Sequence, residues 1–290
     1  MRSVAIATCA QFPEGDEDGA LLVQVAEARG ISLSFEDWRD EGVDWSNFDA
    51  TVIRNTWDYT DHLAEFLSWA QSVERLFNPA SVVAWNTDKR YLEDLAAMGI
   101  PTIPTTYLAS HEELAAFSFA RDDAFVLKPS VGAGSMGAER FDAGDEQRAR
   151  DHARGLLDEG KVVMVQPYIT LVEQEHETAV ILVDGWPSHA IAKGPMLVAD
   201  ALDRSRLFRQ EQISARVSNE AQQLVAVAAH AGVVAHLGLS APLLYARVDL
   251  VPTDQGPVVI EFEATEPSLF LGFEPSAAEV FVEALSRRLG

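Results

Sequence analysis

The chain has 290 residues, of which 48% are hydrophobic and 23% charged, and this composition is typical of a globular protein of about two domains. Its formal net charge of −23 disfavours nucleic acid and anionic membranes as partners, because like charges repel. A single cysteine, Cys9, excludes a disulfide within the chain and favours a cytoplasmic protein, and no apolar run has the length of a membrane span.

The same negative charge would repel a nucleoside triphosphate. Any phosphate site must therefore be built locally from lysines, backbone amides and metal ions. The chain has four lysines, Lys89, Lys128, Lys161 and Lys193, so each well-placed lysine is informative.

The first 84 residues alternate between strand and helix patterns. Apolar or β-branched runs at 4–9, 31–35 and 50–54 predict strands, and residues 20–28 and 61–76 have helical patterns. This alternation predicts a doubly wound parallel sheet. Five residues follow the third run, where such folds bind ligands: Arg54, Asn55, Trp57, Asp58 and Tyr59. They either contact a polar substrate or belong to a helix-capping turn.

From residue 85 onward the pattern changes to α+β with antiparallel hairpins. Helices are expected at 87–98, 219–237 and 276–288, and strands at 125–130, 162–169 and 178–183. Asp184-Gly185 predicts a two-residue hairpin turn that leads to Lys193.

A glycine-rich loop follows Lys128 in the run FVLKPSVGAGSMGAERF at 125–141. Gly132, Gly134 and Gly137 allow backbone amides to approach a phosphate chain closely. The run lacks the P-loop pattern, so it is either a different phosphate-binding loop or a flexible connection.

The end of the predicted strand at 162–169 could form a hinge that binds a purine. Gln166 to Ile169 would offer backbone hydrogen bonds and an apolar surface, and Glu177, at the start of the next strand, could accept hydrogen bonds from a ribose. A buried strand end explains these residues equally well.

The segment Tyr245–Pro267 predicts a hairpin with a Thr-Asp-Gln-Gly turn. A turn centred near Gln255 places Asp249 opposite Glu261 and Arg247 opposite Glu263 on one face. The other face would be filled by Val248, Leu250, Ile260 and Phe262. Three carboxylates in register favour a magnesium site over a solvated face with one ion pair.

These elements, taken in order, resemble the ATP-grasp superfamily along nearly the whole chain. The phrases IRNTWDY, LFNPASVVAWNTDKRYLEDLAAMGIPTIPT and EFEATEPSLFL are most similar to the O-ureidoserine cyclo-ligases of cycloserine biosynthesis. The resemblance implies an α/β, ATP-grasp fold. Residues 1–84 would be a pre-ATP-grasp domain, 85–165 an N-terminal lobe with the glycine-rich loop, and 166–290 a C-terminal lobe with the metal-binding hairpin.

The resemblance also implies a role for each candidate residue. Lys89 and Lys128 would hold the α- and β-phosphates of ATP, and Lys193 would reach the γ-phosphate. The loop that closes over the triphosphate would comprise Ser130, Gly132, Gly134, Ser135, Met136 and Gly137. Gln166, Tyr168 and Ile169 would meet the adenine and Glu177 the ribose, while Asp249, Glu261 and Glu263 would hold Mg2+. Arg247 would steady the substrate carboxylate or the developing anion, and Arg54, Trp57 and Arg216 would line the substrate pocket.

Two positions depart from the family pattern. Many members have Asn where Glu263 stands, which keeps an oxygen ligand. An acidic residue commonly stands at the position of Gln166, so the hinge alignment can shift by a residue or two.

The implied chemistry is ATP-dependent ligation of a carboxylate to an amine through an acylphosphate, with a small amino-acid-like substrate. Cyclisation of one O-ureido-serine-like molecule is the favoured form, and an intermolecular amino acid or dipeptide ligase is the first alternative. The second is an ATP-binding module without catalysis, against which the retained carboxylates, lysines and Arg247 argue. Many relatives pair as homodimers, but no stretch of this sequence marks an interface.

Overall fold

The computed structural model describes residues 1–134, 136–195, 197 and 212–290. The strands are β1 Arg2–Thr8, β2 Ile31–Asp37, β3 Ala50–Asn55, β4 Leu76–Phe77, β5 Thr106–Leu108, β6 Phe125–Pro129, β7 Glu139–Phe141, β8 Val163–Pro167, β9 Glu177–Val183, β10 Trp186–Lys193, β11 Ile213–Arg216, β12 Tyr245–Thr253 and β13 Gly256–Glu263. The α-helices are α1 Gly19–Ala28, α2 Leu63–Ser72, α3 Ala80–Asn86, α4 Tyr91–Ala97, α5 His111–Ala116, α6 Glu146–Asp158, α7 Val172–Glu175, α8 Glu220–His236 and α9 Ala277–Leu289. Short 3-10 helices cover Trp45–Asn47, Trp57–Asp61 and Leu271–Phe273.

The N-terminal sheet has the order β2-β1-β3-β4, and its strands pair in parallel, as predicted. Helix α1 connects β1 to β2 and ends before Gly30, whose φ of +73° is the left-handed conformation typical of a helix C-cap. The helix expected at 61–76 is shorter. It begins after a 3-10 turn and ends at Ser72, because Leu76 and Phe77 pair with Thr51 and Val52 of β3 instead.

The helix expected at 87–98 is interrupted around Lys89. The Lys89 amide donates to the carbonyl of Ser130, 2.8 Å away, and is thereby diverted from a helical bond. The Asp88 side chain accepts from the Arg90 amide at 3.0 Å, which also favours a turn. Two helices, α3 and α4, therefore flank Lys89 and hold it against the strand end that carries Lys128.

The rest of the chain forms two antiparallel sheets. One has the order β5-β8-β6-β7, here called the small sheet, and the other the order β11-β10-β9-β12-β13, here called the large sheet. The predicted Asp184-Gly185 turn joins β9 to β10, and its φ angles of 51° and 80° are those of a type I′ turn.

A β-bulge interrupts each of the two hairpins of the large sheet. In the β9–β10 hairpin the register shifts between Pro187 and His189, and this shift places Lys193 opposite Glu177. In the β12–β13 hairpin it shifts after Asp249, so that Leu250 pairs with Val259. Each bulge inserts one residue and reverses which face the following side chains occupy.

The hairpin register predicted for the carboxylates is confirmed, but its cause differs. Thr253 pairs with Gly256 across a two-residue turn, and the bulge at Ile260 restores the pairing of Asp249 with Glu261 and of Arg247 with Glu263. Ile260 is the extra residue of the bulge; as expected it packs against the core that contains Leu250 and Phe262, and it also lines a cavity.

One hydrophobic core joins the N-terminal sheet to the large sheet. It contains Val4 and Ile6 of β1 together with Ile181 of β9, Tyr245 of β12 and Phe281 of α9. The small sheet packs a separate core against α5 and α6. The small sheet also contacts the large sheet, because Met164 of β8 belongs to a further core with Val180 of β9 and Leu250 of β12.

His230 of α8 is 5% exposed and packs on Gly185 of the β9–β10 turn. The contact is so close that a Cβ atom at position 185 would lie 2.7 Å from the His230 ring. Its Nε2 accepts from the Leu243 amide at 3.1 Å, which requires a neutral ring. Burial, with a smaller effect of Arg288, lowers the pKa of His230 to about 4, although Asp184 opposes the shift.

We predict that His230 makes the protein less stable in mild acid. The unfolded chain binds a proton at His230 below about pH 6.5 and the folded chain only near pH 4, so stability is lost as the pH falls between them. When the pH is lowered from 7.5 to 5.0, the free energy of unfolding measured by urea denaturation should fall by about 2 kcal/mol less in His230→Gln than in wild type. The exposed His111→Gln is the control, and an equal pH dependence in all three proteins would contradict the prediction.

Candidate active site

A cavity of about 610 Å³ lies where the three sheets meet. Its walls come from the polar segment after β3, the glycine-rich loop after β6, the end of β8 and one face of the β12–β13 hairpin. This placement brings together residues that are far apart in the sequence.

The β12–β13 hairpin contributes a cluster of carboxylates. Asp249, Glu261 and Glu263 each offer an oxygen, and these oxygens all lie within 4.8 Å of one another. Asp249 is fully buried beneath the other two, which face the cavity. Oxygen atoms at this spacing form a donor set that suits a hard cation such as Mg2+.

Cationic side chains neutralise these carboxylates. Arg247 donates from Nε to Oδ1 of Asp249 at 2.8 Å and from Nη2 to Oε1 of Glu263 at 2.5 Å. Lys193 Nζ lies 3.1 Å from Asp249 Oδ2 and 3.2 Å from Glu177 Oε1. Lys89 Nζ lies 3.2 Å from Glu261 Oε1 and donates to the carbonyl of Gly132 at 2.6 Å. The predicted metal ligands therefore form a network of alternating charge with Arg247 and with the predicted phosphate ligands Lys89 and Lys193.

Carboxylates outnumber cations in this network, and the pKa values reflect the imbalance. Burial and the neighbouring Glu261 raise the pKa of Glu263 to about 8 despite Arg247. Burial and Asp249 raise the pKa of Glu177 to about 7 despite Lys193. Burial opposes ionisation of Asp249 as well, but Arg247 and Lys193 hold its pKa well below its usual range. The cavity therefore favours an additional cation.

Lys128 differs from the other cavity lysines. Among the described residues it makes no hydrogen bond or ion pair, although its side chain lines the cavity. Burial, together with Lys89 and Lys193, lowers the pKa of Lys128 against the opposing effect of Glu261. A partly desolvated ammonium without a partner is well suited to bind an anion.

The residues of the predicted phosphate loop do not all reach the cavity. Gly132, Gly134 and Met136 line it. Ser130 is buried and bonds through its backbone to Lys89 and Val162, and Gly137 packs against Pro129, so neither is among the lining residues. Ser135 lies outside the described residues.

The predicted adenine side lies at the end of β8. Gln166, Tyr168, Ile169 and Glu177 all line the cavity. The Gln166 amide donates to Thr105 Oγ1 at 2.9 Å, and Tyr168 donates to Glu173 at 3.0 Å beneath the guanidinium of Arg140. Both side chains are thus fixed before any ligand binds.

Of the three residues predicted for the substrate pocket, Trp57 alone lines the cavity. Arg54 is 1% exposed and makes an ion pair with Asp18 at 3.2 Å. Arg216 lies on the edge strand β11, where it donates to Thr178 and to the carbonyl of Glu175. The structure does not bring Arg54 or Arg216 to the cavity.

The segment 264–269, here called the anchored segment, follows β13 and is held by an unbroken series of side-chain donors. Its consecutive carbonyls accept from Asn78 (2.8 Å), Tyr245 (2.8 Å), Trp57 (3.2 Å), Arg54 (2.8 Å), Arg247 (3.2 Å) and His189 (2.7 Å). Buried backbone carbonyls need partners, and here six in succession find them in side chains from other parts of the chain, which fixes the position of the segment. Arg54 therefore holds the carbonyl of Pro267, whose neighbours Glu266 and Ser268 line the cavity.

Several cavity residues escaped the sequence reasoning. The most prominent are Glu266 and Ser268 of the anchored segment, together with Phe12 and Phe270. The only available signal was the third glutamate in the phrase EFEATEP, which follows the two predicted metal ligands.

Across the part of the chain that the structure describes, no helix is both long enough and apolar enough to cross a membrane.

Comparisons with known proteins agree with this architecture. Residues 4–78 match the family model described as the N-terminal domain of the D-cycloserine synthetase DcsG. The cycloserine biosynthesis protein DcsG of Streptomyces lavendulae is 42% identical over 305 aligned residues, which cover 100% of this chain and 99% of that protein.

Solved structures with a similar fold include a DcsG protein and other ATP-grasp proteins. The crystal structure of D-cycloserine synthetase DcsG superposes with a TM-score of 0.90 at 38% identity, covering 99% of this chain and 100% of that one. The RimK-domain ATP-grasp protein of Sphaerobacter thermophilus DSM 20745 has a TM-score of 0.68 at 17% identity, with 98% of each chain covered, and supports the fold alone. The chain therefore has the predicted ATP-grasp fold and belongs to the DcsG family of ATP-grasp ligases.

Proposed function

We propose that the protein is an ATP-dependent carboxylate–amine ligase that cyclises an O-ureido-serine-like amino acid to a cycloserine-type product. The observation that carries the proposal is the charge network of the cavity, which contains the lysines, the arginine and the carboxylates that such a reaction requires. Membership of the DcsG family supports the same substrate class, since a relative's name is that of a D-cycloserine synthetase.

The reaction begins when the γ-phosphoryl group of ATP moves to the substrate carboxylate and forms an acylphosphate. The nitrogen bonded to the side-chain oxygen of the same substrate molecule then attacks the acyl carbon, loses its proton and expels phosphate, which closes the ring. The carbamoyl group on that nitrogen must leave by hydrolysis, as carbon dioxide and ammonia, to give a cycloserine. The enzyme contributes alignment and charge neutralisation. Lys128 and Lys193 would hold phosphate oxygens, and Arg247 would stabilise the charge that develops on the transferred group.

The hairpin carboxylates would hold Mg2+. Asp249, Glu261 and Glu263 provide oxygen ligands at suitable spacing, and the metal, when bound, would offset the negative charge of the phosphates.

The ion pairs of the cavity lie between groups that ATP and Mg2+ would both use. Lys89 and Lys193 neutralise Glu261, Glu177 and Asp249. If the lysines held phosphate oxygens and the hairpin carboxylates held Mg2+, few buried charges would be left unpaired only with both ligands present. ATP and Mg2+ should consequently bind cooperatively.

The experiment that tests the proposal measures ADP and phosphate release with Mg-ATP and O-ureido-serine of either handedness, single amino acids, or pairs of amino acids. Release with O-ureido-serine alone and formation of a cyclic product are expected. Release that requires two amino acids would instead identify an intermolecular ligase, and ATP binding without any turnover would leave a non-catalytic module.

Replacing Lys128 by alanine should weaken ATP binding by about 10- to 100-fold, the effect of losing one charge-assisted contact. Isothermal titration calorimetry of Lys128→Ala measures it. Lys161→Ala is the matched control, because Lys161 is exposed and pairs with Glu159 away from the cavity. Equal affinities in the two variants would refute a phosphate-binding role for Lys128.

The double variant Glu261→Gln, Glu263→Gln should lose turnover by at least about 100-fold, because two charged oxygen ligands become neutral. Its magnesium requirement, measured as the concentration that gives half-maximal rate, should rise as well. Glu27→Gln with Glu74→Gln, which changes two exposed glutamates, controls for the altered net charge. Near-normal activity in a folded double variant would exclude these residues as metal ligands.

A further inference from the structure

Glu266 differs from the other glutamates of the cavity in its partner. Among the described residues, four glutamates line the cavity, and Glu177, Glu261 and Glu263 each pair with a lysine or arginine. Within the part of the chain that the structure describes, Glu266 has no cation within salt-bridge distance, and the Tyr59 hydroxyl lies beside its carboxylate, where it opposes the rise in the pKa of Glu266. A half-buried carboxylate facing a cavity without a cation is a site where a cationic ligand group would be stabilised.

The cations already present are committed elsewhere. The Lys89 ammonium is close enough to lower the pKa of Glu266, but it is bonded to Glu261 and to the carbonyl of Gly132. Burial is the larger effect and raises the pKa of Glu266 to about 7. The metal-ligand cluster comprises Asp249, Glu261 and Glu263 and does not include Glu266.

The position of Glu266 is fixed by the anchored segment. The carbonyl of Glu266 accepts from Trp57 Nε1, and the next carbonyl, of Pro267, accepts from the buried Arg54. Because the backbone is held on both sides, the carboxylate needs little reordering to meet a ligand, which lowers the entropic cost of binding.

Glu266 and Arg247 line the same cavity. Glu266 is near enough to Glu263, the partner of Arg247, to raise the pKa of Glu263, and Arg247 Nη1 donates to the carbonyl of Ser268, two residues after Glu266. An α-amino acid carries its ammonium and carboxylate groups on one carbon atom. A carboxylate placed near Arg247 for phosphoryl transfer therefore leaves the ammonium group within reach of Glu266.

The remaining wall is aromatic. Phe12 and Trp57 meet edge to face with ring centroids 4.7 Å apart, and Phe270 lies beside the Arg247 guanidinium at 5.6 Å. Such a wall accommodates the short chain of a small amino acid and excludes water from the reacting carboxylate.

We propose that Glu266 binds the α-ammonium group of the amino acid substrate, so that the enzyme selects α-amino acids over carboxylic acids that lack the amine. This proposal rests on the proposed ligase function. It assigns the substrate-binding subsite to the anchored segment and to Phe12, Trp57 and Tyr59.

The test compares wild type with Glu266→Gln, which keeps the size of the side chain and an acceptor for Tyr59. The KM for O-ureido-serine should rise about 10- to 100-fold, and the Kd for ATP, measured by calorimetry without amino acid, should stay within about twofold. The control Glu74→Gln, at an exposed site, should leave both constants unchanged.

A second substrate makes the assignment specific. On 3-(ureidooxy)propanoic acid, which lacks the α-amino group, wild type should show a kcat/KM about 10- to 100-fold lower than on O-ureido-serine. Glu266→Gln should use the two compounds with nearly equal efficiency, because the group that distinguishes them is gone.

An equal loss on both compounds, or a changed ATP affinity or magnesium requirement, would show that Glu266 acts on the fold or the metal and would overturn the proposal. Failure of wild type to turn over any amino acid would refute the ligase function itself, and the assignment of Glu266 with it.

Discussion

The active site depends on the buried ion pair between Asp249 and Arg247. Asp249 is fully buried, and an isolated carboxylate in that position would cost several kcal/mol. Arg247 compensates it through two hydrogen bonds, and Lys193 adds a third. Because Arg247 also bonds to Glu263 and to the carbonyl of Ser268, this single guanidinium positions both a predicted metal ligand and the segment that carries Glu266.

Alternation along a strand predicts that Arg247 shares a face with Asp249 and that Glu261 shares a face with Glu263, and a turn assumed to be centred near Gln255 brings the two pairs onto one face. The bulge at Ile260 could not be read from the sequence, since apolar residues such as Val259 and Ile260 fit either face. The bulge in β10 could not be read from the sequence either. A two-residue turn at Asp184-Gly185 without a bulge would pair Glu177 with Ala192, and only the shift near Pro187 brings Lys193 opposite it.

Residues with long-range partners were the hardest to assign. Arg54 follows a strand in the position of a ligand-binding residue, yet its partners are Asp18 and the carbonyl of Pro267, 213 residues away in the sequence. Spacing cannot reveal such a contact. The predicted residues Lys89, Lys128 and Gln166 do line the cavity, since each lies at the end of a locally readable element.

The distribution of hydrophobic cores has a mechanical consequence. The N-terminal and large sheets share one core and are also joined by the donors to the anchored segment. The small sheet meets the large sheet through Met164 of β8, but most of its buried side chains form a core of their own. A hinge motion that widens the cavity therefore has its lowest cost when the small sheet moves, carrying the glycine-rich loop and the end of β8, while the anchored segment stays joined to the N-terminal sheet.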